Sequence, residues 1–206
     1  MRLQIARQLV DFVAPGVTAK VVEARTEEVR HCREVIPTTV APCRKISEVI
    51  HEIFERCQLH NFWVLRLDSS GNKIWERSFG GSGYDSLWSC QQMADGGFVL
   101  GGYSNSGADG NKTSAGFGGF DVWIVRIDAN GNKLWERAYG GSGNEYLTAL
   151  AQSSDGGLIL GAMSASPPSG NKSSTNFGSY DIWILRLDAG GNQVWQGSFG
   201  GDAYDE

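Results

Sequence analysis

The sequence predicts a mainly β fold in which a four-stranded antiparallel unit recurs along the chain, preceded by a small helical segment. Three observations carry this. The same phrase opens at Trp63, Trp123 and Trp183, and at that sixty-residue period residues 61–120 and 121–180 are identical at 28 of 60 positions. Within each period, apolar runs of strand length alternate with glycine turns. Most of the 28 glycines fall after residue 70 and recur with the repeat, so they read as turn chemistry.

One period resolves into four strands. Asp121 to Asp128 alternates with apolar residues on both faces, Trp123, Val125 and Ile127 on one and Val122 and Ile124 on the other, the pattern of a strand buried on both sides. The turn Ala129-Asn130-Gly131-Asn132 leads to a second strand, Lys133 to Tyr139, whose Glu136 and Arg137 suit an outer edge. A third strand follows Gly140-Gly141-Ser142-Gly143 around Tyr146 to Ala151. The hairpin signal Asp155-Gly156-Gly157 then leads to a fourth, Leu158 to Met163. Gly161, like Gly101-Gly102 in the preceding copy, lies inside a strand and marks a place of close approach.

Four short antiparallel strands, stacked on copies of themselves through both faces, describe a propeller blade. The phrase Trp63-Val64-Leu65-Arg66-Leu67-Asp68-Ser69-Ser70-Gly71-Asn72-Lys73-Ile74-Trp75 resembles the β-propeller repeats of large bacterial secreted and cell-surface proteins. It is similar in design to the quinoprotein-type repeat, although its Asp-to-Gly spacing is one residue shorter and nothing corresponds to the quinone-binding residues. The resemblance covers residues 61–206 and implies a partial β-propeller of about two and a half blades. Residues 61–80 would form half a blade, 84–140 and 144–200 whole blades, and 201–206 the start of another. Propellers close with about four to eight blades, so the open blade faces imply self-association or a longer array. Extracellular or surface placement is likewise an implication of the resemblance alone, since Arg7 and Asp11 interrupt the N-terminal apolar run and no convincing signal peptide is present.

Residues 1–60 read differently. Apolar residues at helical spacing from Leu3 to Val13, from Thr18 to Ile36 and from Arg44 to Leu59 predict three short helices, with Pro15-Gly16 and Pro37 as breaks. All three histidines lie here beside Cys32, Cys43 and Cys57. A zinc site joining Cys57 and His60 to His31, Cys32 or His51 lacks any Cys-x-x-Cys or His-x-x-x-His pair, so buried thiols and surface histidines are the simpler reading.

Composition excludes several classes. Residues 1–60 carry nine Lys/Arg against eight Asp/Glu and residues 61–206 nine against fifteen, so neither part has the basic excess of a nucleic-acid binder. No run approaches the roughly 18 consecutive apolar residues of a membrane span. Gly110-Asn111-Lys112-Thr113 and Gly80-Gly81-Ser82-Gly83 imitate phosphate-binding loops but connect strands, without the following helix such a loop needs.

The long connection from Ser104 to Phe120 is the expected ligand surface. Trp88, whose counterpart is Thr148, is a candidate aromatic platform for a glycan. Asn105, Asp109, Asn111 and Asp121 offer oxygens either to a calcium ion or to turn N–H groups. The second copy keeps Asn171 and Asp181 but replaces Asn105 by Ala165 and Asp109 by Ser169. Arg66, Arg126 and Arg186 stand beside Asp68, Asp128 and Asp188, a spacing read as ion pairs or turn hydrogen bonds between blades.

The expected function is therefore non-enzymatic: a repeat scaffold presenting loops to a protein or glycan at a bacterial surface. A polysaccharide-acting enzyme is the alternative from another class, using Asp85, Glu145 and Asp205, which share one repeat position. Histidine is absent from residues 61–206, which removes the usual general base. A truncated gene product without independent function is the third expectation.

Overall fold

The computed structural model describes residues 61–205 together with the strands at residues 12–14 and 17–20. They form three four-stranded antiparallel sheets, each a simple meander. Sheet 1 comprises β1 (Phe12–Ala14), β2 (Val17–Lys20), β3 (Phe62–Leu67) and β4 (Lys73–Phe79). Sheet 2 comprises β5 (Asp85–Gln92), β6 (Phe98–Ser104), β7 (Asp121–Ile127) and β8 (Lys133–Tyr139). Sheet 3 comprises β9 (Glu145–Gln152), β10 (Leu158–Ser164), β11 (Asp181–Leu187) and β12 (Gln193–Phe199). The fold is mainly β, with no helix among the described residues. None of these residues forms a helix long and apolar enough to cross a membrane.

Residues 1–78 and 79–206 are two compact units. The first holds a correction to the sequence reading. Residues 12, 13 and 18–20, expected in helices, are extended, because β2 finds a ladder on β3 (Thr18 opposite Leu67, Lys20 opposite Leu65) and β1 pairs with β2. Non-local backbone pairing here overrides a helical apolar spacing. Residues 61–80 consequently supply two strands of a full four-stranded sheet instead of standing as half of one. The remaining residues of the expected helices, with the histidines and Cys32, Cys43 and Cys57, lie outside the described residues.

In the second unit, sheets 2 and 3 stack face to face. Every residue of β7 is buried, as its two-faced apolar pattern requires. Val99, Val122, Ile124 and Tyr139 of sheet 2 share one core with Leu147, Leu158, Leu160, Ala162, Trp183, Leu185 and Leu187 of sheet 3. Gly101 lets the sheets approach: a Cβ there would stand 2.6 Å from Leu147 Cδ2 and 2.8 Å from Leu150 Cδ1. Cys90 is buried and free, and burial pushes its thiol up to about 12, which leaves it unreactive.

Bulges account for two of the apolar side chains left outside. The β7–β8 register shifts between Arg126 and Ile127 and the β11–β12 register between Arg186 and Leu187, leaving Leu134 and Val194 unpaired and turned to solvent. Tight turns use Gly96, Gly131, Gly156 and Gly191, with φ of +82°, +79°, +84° and +76°, where a side chain would be strained.

Candidate functional site

The long connections of sheet 2 and sheet 3 fold back onto the glycine turns that precede β5 and β9. Residues 80–84 enter β5 without a partner strand, and their N–H groups still need acceptors. Side chains supply all five. Gly80 N–H donates to Asn111 Oδ1 at 2.9 Å, Gly81 to Asp85 Oδ2 at 3.0 Å, Ser82 to Asp109 Oδ1 at 3.0 Å, Gly83 to Ser106 Oγ at 2.9 Å and Tyr84 to Asn105 Oδ1 at 2.6 Å. The Ser82 hydroxyl also donates to Asp109, which holds that carboxyl below its usual range.

Three of the oxygens expected to be offered to a ligand are thus turned onto this backbone. The next copy repeats four of the five contacts, with Glu145 in place of Asp85 and Ser169 in place of Asp109: Gly140 N–H donates to Asn171 Oδ1 at 2.8 Å, Gly141 to Glu145 Oε2 at 2.8 Å, Ser142 to Ser169 Oγ at 2.9 Å and Gly143 to Ser166 Oγ at 2.7 Å. Ala165, at the Asn105 position, has no side-chain oxygen to contribute. Among the described residues no group of three or more His, Cys, Asp or Glu is placed to hold a metal ion.

Lys112 and Lys172, each 2% exposed, bind the loops from within. Lys112 Nζ donates to the carbonyls of Ser106 (2.9 Å) and Ser114 (2.6 Å) and lies 5.8 Å from the Trp123 ring centroid. Burial lowers its pKa against the pull of Glu136, Asp85, Asp121 and Asp109. The resemblance of Gly110-Asn111-Lys112-Thr113 to a phosphate loop therefore has no counterpart in geometry, because the lysine is spent on loop carbonyls.

The acids of the enzymatic alternative have structural partners. Asp85, 3% exposed, accepts from Ser104 Oγ, from Ser106 Oγ at 2.9 Å and from Gly81 N. Glu145, fully buried, accepts from Ser164 Oγ at 2.8 Å and from Gly141 N. Asp205 Oδ2 accepts from Gly201 N at 2.9 Å.

Asp121 is held differently. Its Oδ2 accepts from Phe117 N at 2.8 Å, while Oδ1 is buried without a hydrogen-bond partner, and so is Oδ1 of Asp181 in the next copy. Asp121 Oδ1 and Glu145 Oε2 lie 2.0 and 2.5 Å from the point where a Cβ on Gly140 would stand, so glycine is required there. Burial, reinforced by the Glu145 charge, pushes the Asp121 carboxyl up to about 6.

Trp88 sits at a bulge in β5, its register skipped between Leu87 and Ser89, and its Nε1 donates to the Thr148 carbonyl at 3.2 Å. Thr148 is the skipped residue of β9, so the two bulges meet. The candidates thus fall into two groups: Asn105, Asp109, Asn111 and Asp121 converge on the loop end, while Trp88 stands apart in mid-strand.

The recurring arginines also find other partners than expected. Arg126 Nη2 contacts both oxygens of Asp95 at 2.6 and 2.5 Å, and Arg186 does the same with Asp155, in each case within one sheet instead of between sheets. Asp128 instead caps its own turn through Asn130 N and Asn132 N, both at 2.8 Å. A cleft of about 340 Å³ between sheets 2 and 3 has the Arg126–Asp95 pair in its wall beside Met93, Trp135 and Gln152.

The feature that sequence reasoning missed is a continuous run of aromatic rings at the loop end. Tyr84, Tyr103, Phe120, Tyr146, Tyr180 and Tyr204 touch in succession, with centroids 4.9 Å apart for Tyr103–Tyr146, 5.6 Å for Phe120–Tyr146, 6.1 Å for Tyr146–Tyr180 and 5.5 Å for Tyr180–Tyr204. The first five are half-buried and Tyr204 is exposed. Only Phe120 and Tyr180 match one period apart; Tyr84 and Tyr204 are two periods apart with Asn144 between them, Tyr103 is matched by Met163 and Tyr146 by Ser86. A partial sequence signal was therefore present.

The chain belongs by structure to the class of mainly β proteins built from repeated four-stranded antiparallel sheets. No protein-family model matches it. It is similar to the regulatory protein FlaEY of Caulobacter vibrioides, 28% identical over 140 residues, which is 63% of this chain and 14% of that protein's length.

Proposed function

We infer that this chain is a non-enzymatic β-propeller repeat protein, or a module of one, which presents its loop end to a protein or glycan at a bacterial surface. The observation that carries the reading is the face-to-face packing of sheets 2 and 3, two copies of one repeat, through a shared apolar core, the way blades stack. Loops pinned by side-chain caps suit presentation, because a ligand meets them already ordered. The half-exposed aromatic run beside them offers apolar ring surface with hydroxyl groups at its margin, a chemistry suited to a glycan or an extended protein segment. Similarity to a small fraction of a much longer regulatory protein supports the idea of a module. The acids of the enzymatic alternative are engaged in backbone caps, and no observation favours that reading.

Affinity electrophoresis of the purified chain through gels containing neutral polysaccharides tests the proposal. Retardation is expected, and Tyr146→Ala should reduce it severalfold while the melting temperature stays near that of the parent. Release of new reducing ends from the same polysaccharides, abolished by Glu145→Gln, would instead establish an enzyme.

A further inference from the structure

Sheets 2 and 3 carry the same residue pattern, but only one has both faces covered. On sheet 2, the face formed by Val99, Val122, Ile124 and Tyr139 is at most 2% exposed. The equivalent face of sheet 3 is open: Ile159 is 41% and Phe199 58% exposed, with Ile182 and Ile184 half-buried between them. Strand register places these four side chains together, with Ile159 opposite Arg186, Gly161 opposite Ile184 and Met163 opposite Ile182, which is in turn opposite Phe199. Trp195, 46% exposed and opposite Arg186, extends the same face. It is an apolar surface several side chains wide, of the kind that marks an interaction site.

The molecule contains its own template for the occupant. The matching face of sheet 2 is covered by Trp183, Leu185 and Leu187 of β11. In sheet 1 the same positions are held by Trp63, Leu65 and Leu67 of β3, with Trp63 and Leu67 only half-buried where Trp183 and Leu187 are fully buried. The chain thus carries the two complementary halves of a contact it already makes once, one on sheet 3 and the other on sheet 1. Residues 200–205 extend the template, since Asp205 N–H donates to the Tyr180 carbonyl at 2.8 Å, just as Glu145 N–H donates to that of Phe120 at 2.6 Å where sheet 3 joins sheet 2.

Resting on the blade reading above, we propose that the open face of sheet 3 receives sheet 1 of a second copy of this chain. The contact is heterologous, joining one surface of a copy to a different surface of the next.

Light scattering coupled to size exclusion reads the mass directly. A mass of at least two chains is expected. Phe199→Lys changes an exposed side chain and Ile184→Glu the centre of the face, and both should leave a monomer; Phe199→Lys should do so with the circular dichroism spectrum unchanged. Mixing Phe199→Lys with Leu67→Glu should restore a pair, since one intact sheet 3 face then meets one intact sheet 1. A well-folded monomer at all concentrations, or an oligomer insensitive to these substitutions, overturns the contact and leaves the blade reading standing.

Discussion

Val122 and Ile124 of sheet 2 are fully buried, whereas Ile182 and Ile184, at the same places in sheet 3, are half-buried, although the two strands are almost interchangeable in sequence. Gly101 and Gly161 repeat the contrast: a Cβ on the first would collide with side chains of the facing sheet, and on the second would make an ordinary 3.5 Å contact with Ala149 Cβ. Burial here is a property of what lies opposite a strand, and the strand pattern specifies only the capacity to be covered. The energetic worth of a residue in such an array is set mostly at the sheet-to-sheet interface.

The largest expected difference is at the centre of the two faces. Ile124→Ala should cost about 3 kcal/mol in urea unfolding, within the range for a fully buried Ile, and Ile184→Ala about 1 kcal/mol when measured in dilute solution. The gap should narrow as protein concentration rises, because assembly would bury Ile184 as well. Equal losses at every concentration would break the comparison.

The glycine pair sharpens it. Gly101→Ala forces Leu147, Leu150 and Ile124 aside and should cost about 2 kcal/mol, while Gly161→Ala should change stability by less than ~0.5 kcal/mol. Thermal melts of the two variants side by side decide it.

The smallest effect is electrostatic and lies where sheets 2 and 3 meet. Burial raises Asp121 from 3.8 to about 6, so between those values the folded chain holds a proton that the unfolded chain has released. Stability from this group is complete below about pH 4, declines as pH rises to about 6 and is flat beyond, a loss on the order of 2 kcal/mol. Asp121→Asn should remove that slope from a series of melting temperatures taken between pH 4 and 7, and a slope identical to the parent's would show that the carboxyl ionises freely.

The strands of the repeat were legible because alternation and turn chemistry agree. Asp155-Gly156-Gly157 announces the β9–β10 hairpin, and Gly156 indeed adopts φ +84°. β1 and β2 were not legible, since the apolar spacing around Val13 and Val21 fits a helix and the extended conformation depends on β3, more than forty residues away in sequence. The loop oxygens were legible as a set but their target was not. Asn105, Asp109 and Asn111 advertise acceptors, and nothing local says that the donors are the N–H groups of residues 80–84. Arg126 was seen to recur beside Asp128, yet it reaches across the sheet to Asp95 because Asp128 is already committed to its own turn. The aromatic run was legible only in part, because four of its six rings have no aromatic counterpart one period away.

The capped turn takes none of its side-chain acceptors from one stretch of each long loop. Between Ser106 and Asp109 in one copy, and between Ser166 and Ser169 in the other, Gly107-Ala108 is exchanged for Pro167-Pro168, a flexible pair for a stiff one, and the anchors on either side keep their hydrogen bonds. A loop fastened at both shoulders tolerates new sequence at its crest. Each sheet of this kind therefore carries a short writable segment, in which recognition can diversify from copy to copy without the scaffold being redesigned.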